Sequence, residues 1–243
     1  AGIYCEEMGR SAEALGHEVE TWTPAYGQDE PENKKLRFLS IRGTQDWRCS
    51  LRLVREARRH GGEIEDQVLH LAEPGALRAF VRLGLGPLKP ARLLVTLHGS
   101  EIPKFSRFPL ERFSFRRLLR RADHIHVLSR YNRDALLRIF PELKKSILLV
   151  PGAPSRSVLP IEKNNQSSDG RIRILTVGRI HPRKGQDRML TALTHLPAEL
   201  KGRLEYHIVG PKTKPAYYRE LREQAAQAGL PVHFLGDLAP TEL

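Results

Sequence analysis

The strongest constraint on this chain is an alternation. Short apolar runs with strand character, of which Leu93-Leu94-Val95-Thr96-Leu97 is the clearest, are each followed by an amphipathic stretch of helical period. Strands that are apolar on both faces must be covered on both, and long helical connections between them make them parallel. The pattern predicts helices at 3–16, 46–60, 75–83, 109–121 and 130–139. It predicts strands at 17–23 (stopped by Pro24), 36–41, 67–72, 93–97, 124–128 and 146–150. Residues 25–35 are polar and loop-like. The alternation breaks at 151–170, which holds Pro151, Gly152, Pro154 and Pro160, then Asn164-Asn165-Gln166-Ser167-Ser168-Asp169-Gly170. That is linker composition. A second series follows, with strands at 172–177, 204–209 and 232–235 and helices at 186–195 and 215–228. The expected fold class is α/β with parallel sheets in two domains, 1–155 and 171–243, joined by a linker at 156–170. Ala1-Gly2-Ile3-Tyr4 runs straight into a helical pattern, so a preceding strand is expected to be missing. Ala239-Pro240-Thr241-Glu242-Leu243 reads as the start of a further helix, so the second domain is expected to be incomplete.

At 243 residues the chain can bury one large core or two smaller ones. No run approaches the ~18 apolar residues of a membrane span, and no signal-peptide core is present. Cys5 and Cys49 show no metal-ligand spacing and read as structural thiols in a reducing cytoplasm. The net charge is +12, from 40 basic and 28 acidic residues, and the excess is spread along the chain. Such a surface suits nucleic acid, anionic lipid or phosphorylated small molecules. No helix-turn-helix, zinc-finger or RNA-recognition signature accompanies it, so nucleic acid is not an expected partner.

The most informative motif is Val177-Gly178-Arg179-Ile180-His181-Pro182-Arg183-Lys184-Gly185, set between a strand and a helix start. Five residues separate Gly178 from Lys184-Gly185, so it is not a P-loop, which needs four and then Gly-Lys-Ser/Thr. A glycine turn, two fixed cations and a helix N-terminus at a strand's carboxyl end can collect a phosphate or diphosphate. Arg179 and Lys184 are the candidate anion-holding groups; His181 and Arg183 are left unassigned. Gly84-Leu85-Gly86 lacks a third glycine and the strand-to-helix position, so it reads as a helix-ending turn. His98 stands at the carboxyl end of the strand 93–97, before Gly99-Ser100-Glu101, where an imidazole can donate to a hydroxyl or shuttle a proton. The other histidines, His70 and His126 among them, lack that placement, and no metal-ligand helix pattern is present, so no bound metal is expected. Glu73 and Glu101 read either as groups that orient a hydroxyl or as turn residues. Lys104, Arg107, Arg112, Arg116, Arg117, Arg120 and Arg121, interleaved with Phe105, Phe108, Phe113 and Phe115, read either as a solvated cationic face or as a patch for anionic headgroups.

At these residues the chain resembles the retaining glycosyltransferases of the GT-B fold, family 4. The resemblance runs in order through almost the whole sequence. Gly2-Ile3-Tyr4 resembles the end of that family's glycine-rich first loop. Leu15-Gly16-His17-Glu18-Val19 with Thr21-x-Thr23-Pro24, Glu73-Pro74-Gly75-Ala76-Leu77, Thr96-Leu97-His98-Gly99-Ser100 and Ala122-Asp123-x-Ile125-x-Val127-x-Ser129 follow. Val177-Gly178-Arg179 with Lys184-Gly185 is the most specific match. Ile208-Val209-Gly210-Pro211 and Val232-x-Phe234-Leu235-Gly236 complete it.

The resemblance implies two Rossmann-like domains with a nucleotide-sugar donor in the cleft between them. It places Arg179 and Lys184 on the donor diphosphate, His98 on the donor sugar, Gly2 against the donor through its backbone, and Gly210, Phe234 and Leu235 near the nucleotide. Glu73, Ser100 and Glu101 become acceptor-side candidates, for a glycan, lipid or small-metabolite acceptor. It implies transfer with retention, no metal and no cofactor. The residues themselves place the protein in the cytoplasm, with 104–121 open to peripheral contact with a membrane or to a solvated face. Two departures stand out. The family's motif of two glutamates seven residues apart is absent, so this stretch alone is expected to be inactive. Pro151-Gly152-Ala153 replaces the family's Pro-Asn-Gly. The competing expectation is a non-catalytic module that binds a phosphorylated ligand or an anionic surface.

Overall fold

The computed structural model describes residues 2–24, 36–39, 47–152 and 170–238. They belong to two compact units, 1–159 and 160–243. The linker composition at 156–169 lies outside the described residues, as does the polar stretch 25–35.

Unit 1 opens with α1 (Gly2–Ala14), β1 (Thr21–Pro24) and β2 (Leu36–Leu39), then α2 (Trp47–Arg59), α3 (Gly61–Glu65), β3 (Val68–Leu71) and α4 (Pro74–Leu83). It continues with β4 (Arg92–Leu97), α5 (Glu101–Ser106), α6 (Pro109–Arg121), β5 (His124–Val127), α7 (Arg130–Ile139), a 3₁₀ turn at Pro141–Ser146 and β6 (Ile147–Leu149). The strands pair in parallel as β1-β2 and as β3-β4-β5-β6. Val95, Leu97, Ile125 and Val127 on the central strands are fully buried, as are Leu77 of α4 and Phe115 of α6. Phe115 stacks the helical layer together, with Phe105 at 5.4 Å and Phe140 at 6.0 Å between ring centroids. Removal of apolar area of this kind is the main stabilising term in such a layer.

Unit 2 holds β7 (Ile172–Val177), a 3₁₀ turn at Pro182–Lys184, α8 (Gln186–Thr194), α9 (Ala198–Lys201), β8 (Leu204–Val209), α10 (Pro215–Ala226) and β9 (Val232–Gly236). Its strands form the parallel order β7-β8-β9. Tyr206, Ile208, Leu190 and Leu221 make its core. The opposite face of this sheet carries Leu175 (52% exposed), Val177 (55%) and Leu235 (44%) among the described residues.

Three local differences from the sequence reading have clear causes. The strand expected at 17–23 begins only at Thr21, where pairing to Leu36 starts, and Pro24 is its last paired residue rather than its stop. A proline can end a strand whose partner does not need its N–H. The helix α5 contains Pro103, which is tolerated because a first-turn residue has no intrahelical N–H bond to lose. The short helix α3 starts at a Gly-Gly pair, which the helical pattern of 46–60 did not extend to.

Candidate active site

Parallel strands bring all their carboxyl ends to one edge of each sheet. In unit 1 that edge carries Glu73 after β3, His98 after β4 and Ser129 after β5. Glu73 caps α4: its carboxylate accepts from the Gly75 N–H at 3.0 Å, and Pro74 starts the helix. Glu101 is 2% exposed, and both of its oxygens are engaged by the loop that precedes it. One accepts from the Gly99 N–H at 2.8 Å, the other from the Ser100 hydroxyl at 3.0 Å. Glu101 therefore shapes the loop after His98, and Ser100 is tied to it. Gly99 has φ +118°, and a Cβ there would meet the Asn132 side chain at 2.8 Å, so the loop needs glycine at this point.

His98 is half-buried, and its Nε2–H donates to the Ala72 carbonyl at 2.8 Å. A carbonyl only accepts, so the proton of the neutral ring sits on Nε2 and Nδ1 is the acceptor nitrogen. Donation to a hydroxyl through Nε2, one of the roles open from sequence, is thereby taken up inside the protein. Nδ1 has no hydrogen-bond partner among the described residues.

Two histidines set aside from sequence lie beside it. His70 and His126 flank Thr96 on neighbouring strands: His70 Nε2 is 2.8 Å from the Thr96 hydroxyl and His126 Nδ1 is 3.3 Å from it. Burial, reinforced by His126 and His98, pushes the His70 imidazole down to about 4. Tyr4 of α1 completes the group, with its hydroxyl 2.9 Å from His126 Nδ1 and its ring 5.1 Å from the His98 ring. The signal for this cluster was present in the sequence: Val-Leu-His-Leu and His-Ile-His-Val place histidines inside strands that parallel sheets otherwise fill with apolar residues.

In unit 2 the sheet edge is bared by three glycines in a row, Gly178, Gly210 and Gly236, at the ends of β7, β8 and β9. All three have positive φ, at +153°, +138° and +76°. The backbone there is stitched together by Gly178 N–H to Val209 O (2.8 Å), Ile180 N–H to Pro211 O (2.9 Å) and Gly210 N–H to Gly236 O (2.6 Å). The Lys184 methylenes lie over Gly178, 3.6 Å from where a Cβ would be, which returns that side chain to the sheet edge beside Arg179. Arg179 and Lys184 are exposed, and neither side chain has an ion pair or hydrogen bond among the described residues. The Arg179 carbonyl is held by the fully buried Gln186 at 3.1 Å.

The backbone amides of this turn are largely committed elsewhere. Arg183 N–H goes to His181 Nδ1, Lys184 N–H to His181 O, Gly185 N–H to Pro182 O and Asp187 N–H to the Tyr217 hydroxyl. The reason is the 3₁₀ turn inserted before α8, which closes its own hydrogen bonds. The capacity to hold an anion here thus rests on the two side-chain cations more than on amides at a helix start.

Phe234 and Leu235 point to opposite faces of β9. Phe234 is partly buried and meets Tyr218 edge-on at 5.4 Å, whereas Leu235 is exposed. They line a shallow depression of about 360 Å³ with Tyr218, Arg222, Val232 and His233. Gly2 starts α1. Glu205, His207 and His233 offer ligand atoms within 4.8 Å of one another, through cross-strand pairing that spacing in sequence does not reveal. The Glu205 carboxylate is already held by Arg171 and Arg173.

These folds and loops match known proteins. Residues 1–153 match Glycosyltransferase Family 4 and residues 159–243 match the glycosyl transferases group 1 family. The chain belongs to Glycosyltransferase Family 4. A GDP-mannose-dependent alpha-(1-6)-phosphatidylinositol monomannoside mannosyltransferase from Mycobacterium tuberculosis is 27% identical over 161 residues, covering 63% of this chain and 40% of the relative. The chain thus spans well under half the length of the curated relatives it matches. Among solved structures, a sucrose-phosphate synthase from Thermosynechococcus elongatus aligns with a TM-score of 0.72 at 18% identity, over 97% of this chain and 64% of that one. WaaG, a glycosyltransferase involved in lipopolysaccharide biosynthesis, aligns at 0.64 and 15% identity, over 98% and 67%. Anabaena HepE in complex with UDP-glucose aligns at 0.60 and 17%, over 77% and 52%. The architecture is α/β of the GT-B type.

Proposed function

We propose that this chain is part of an enzyme that transfers a sugar from a nucleotide-diphosphate sugar to a glycan, lipid or small-molecule acceptor, with retention at the anomeric carbon. The observation that carries the reading is the pair of unpartnered cations, Arg179 and Lys184, at a sheet edge bared by Gly178 and Gly210. As the donor C1–O bond breaks, negative charge grows on the leaving diphosphate, and cations already in place lower the barrier. In this reading they stand where a metal would otherwise be needed, so removal of divalent cations by chelation leaves turnover unchanged. Gly2 and the loops after Gly210 and Leu235 seat the nucleotide. The His98 Nδ1 accepts a hydrogen bond from a hydroxyl of the donor sugar, and Glu73 and Ser100 face the acceptor. The homology to a phosphatidylinositol mannoside enzyme favours a lipid-linked acceptor.

That last choice draws support from α5 and α6. Phe108 (56% exposed), Leu110 (77%) and Phe113 (63%) project among Lys104, Arg107, Arg112 and Arg117. Apolar side chains set in a basic surface suit the headgroup region of an anionic membrane. Among the described residues no helix is long and apolar enough to cross one. The setting is the cytoplasm, with the protein peripheral at the membrane.

The test is a panel of nucleotide sugars assayed with the full-length protein and with Arg179→Ala and Lys184→Ala. Each substitution is expected to lower turnover about 10²–10³-fold, as loss of one preset charge-stabilising group does. Unchanged rates in both remove them from the mechanism. Donor binding without turnover in the full-length wild type supports the binding-module alternative instead. Proton NMR of the new glycosidic linkage decides retention against inversion.

A further inference from the structure

Tyr4 has no role assigned to it so far, yet its side chain reaches the His98 neighbourhood. Its hydroxyl is 2.9 Å from His126 Nδ1 and 3.4 Å from the Thr96 hydroxyl. The donor can be assigned. His126 Nε2–H donates to the Val150 carbonyl at 2.8 Å, so Nδ1 of the neutral ring is an acceptor, and Tyr4 O–H donates to it. Burial raises the Tyr4 hydroxyl above its ordinary value, which keeps that proton in place. His126 is in turn anchored: it is 7% exposed, and Val150 is pinned to the same strand through its N–H to Val127 O at 3.2 Å. The Tyr4 ring stacks near His126, with centroids 6.1 Å apart and planes 29° apart. It meets the His98 ring edge-on at 5.1 Å and 87°. Tyr4 lies against both Thr96, inside β4, and His98, just past its end.

We propose that Tyr4 is a positioning residue for His98. A single hydrogen bond from Nε2 to the Ala72 carbonyl defines the tautomer but leaves the ring able to rock about its bond to Cβ. The Tyr4 ring closes one side of that swing, and its own tilt is set by the hydroxyl bond to His126. The line of support is Val150, His126, Tyr4, His98, and its product is an imidazole with Nε2–H turned inward and Nδ1 presented as a hydrogen-bond acceptor. The functional part of this inference rests on the transferase reading; the structural part does not. A residue that served only to pack α1 against the sheet would not influence the tautomer of His98.

The experiment has two arms on the full-length protein. In the first, histidine side-chain ¹⁵N NMR is recorded for wild type, Tyr4→Phe and Tyr4→Leu. Wild type is expected to show His98 and His126 as Nε2–H tautomers. Tyr4→Phe removes only the hydroxyl, so the His126 Nδ1 resonance moves while His98 broadens slightly. Tyr4→Leu removes the ring, so His98 rocks away from the Ala72 carbonyl and is expected to shift toward an averaged tautomer. His98 resonances in Tyr4→Leu that coincide with wild type overturn the proposal. If Tyr4→Leu fails to fold, Tyr4→Phe decides: His98 lines unchanged in both position and width overturn it. In the second arm, Tyr4→Leu is expected to lower kcat about tenfold with KM within about threefold, and Tyr4→Phe to recover most of that loss, as for a small misplacement of a reacting group. An unchanged kcat in Tyr4→Leu overturns the functional role. If no nucleotide sugar is turned over at all, the transferase reading fails while the NMR arm still judges the positioning of His98.

Discussion

Replacing Gly210 by alanine is a sharp probe of the second sheet edge, because the cost follows from backbone geometry alone. Gly210 has φ +138°, a region that costs an L-residue about 1–3 kcal/mol. Its new Cβ would lie 2.6 Å from the Gly178 carbonyl carbon and 3.1 Å from the Arg179 nitrogen. These are main-chain atoms of the neighbouring strand end, held by Gly178 N–H to Val209 O and Ile180 N–H to Pro211 O. They can retreat only by stretching at least one of those bonds, which adds about 1 kcal/mol. The expected total is about 2–4 kcal/mol. Gly178→Ala is the internal control. Its Cβ would meet only the Lys184 methylenes, at 3.6–3.9 Å, so at φ +153° it carries the backbone cost of about 1–3 kcal/mol without the clash against main-chain atoms. Denaturant unfolding of both variants of the full-length protein measures the difference, and hydrogen exchange at 176–180 and 208–212 locates it. Equal stabilities, or Gly210→Ala within about 0.5 kcal/mol of wild type, the range of an ordinary surface substitution, would refute the close backbone approach.

Other outcomes are equally definite. His70 has a folded-state pKa of about 4 against about 6.5 when unfolded. Between those values the unfolded chain binds a proton that the native state refuses, so stability is full above pH 6.5 and falls as pH drops to 4, by up to about 3 kcal/mol. His70→Gln should flatten that part of the stability–pH curve; an unaltered slope assigns it elsewhere. Glu73→Ala should lose the α4 cap at a cost of about 1 kcal/mol. Glu73→Gln keeps an acceptor oxygen for Gly75 N–H, so a fall in turnover with stability retained would identify a substrate contact, and full turnover would leave Glu73 as a cap only. Replacing both Leu110 and Phe113 by serine should weaken binding of the full-length protein to anionic vesicles about tenfold or more, by loss of buried apolar area; unchanged sedimentation with vesicles would remove this face from the membrane proposal.

Much of this architecture is legible in the sequence because parallel sheets demand it. The strands 172–177 and 204–209 and the helix 130–139 stand where the pattern puts them, since each is a run whose burial period and flanking glycine or serine agree. Ser129 is an example: its hydroxyl accepts from the Asn132 N–H at 3.2 Å and starts α7. What was not legible depends on cross-strand neighbours. Nothing local to His126 says that Tyr4, 122 positions away, donates to it. Nothing local to Glu101 says that its oxygens close the loop around Gly99. Nor could spacing show that the amides of the turn 183–185 bond within the turn, which moves the anion reading from the helix start to Arg179 and Lys184. Phe234 is a further case: spacing did not show that its ring meets Tyr218 edge-on, with both lining one shallow depression beside Leu235.

The central claim is that the guanidinium of Arg179 and the ammonium of Lys184 grip one diphosphate. A crystal structure of the full-length protein with a nucleoside diphosphate tests it most directly. The account predicts phosphate oxygens within about 3.2 Å of both side chains. A diphosphate bound elsewhere, with those two side chains still in solvent, would contradict it.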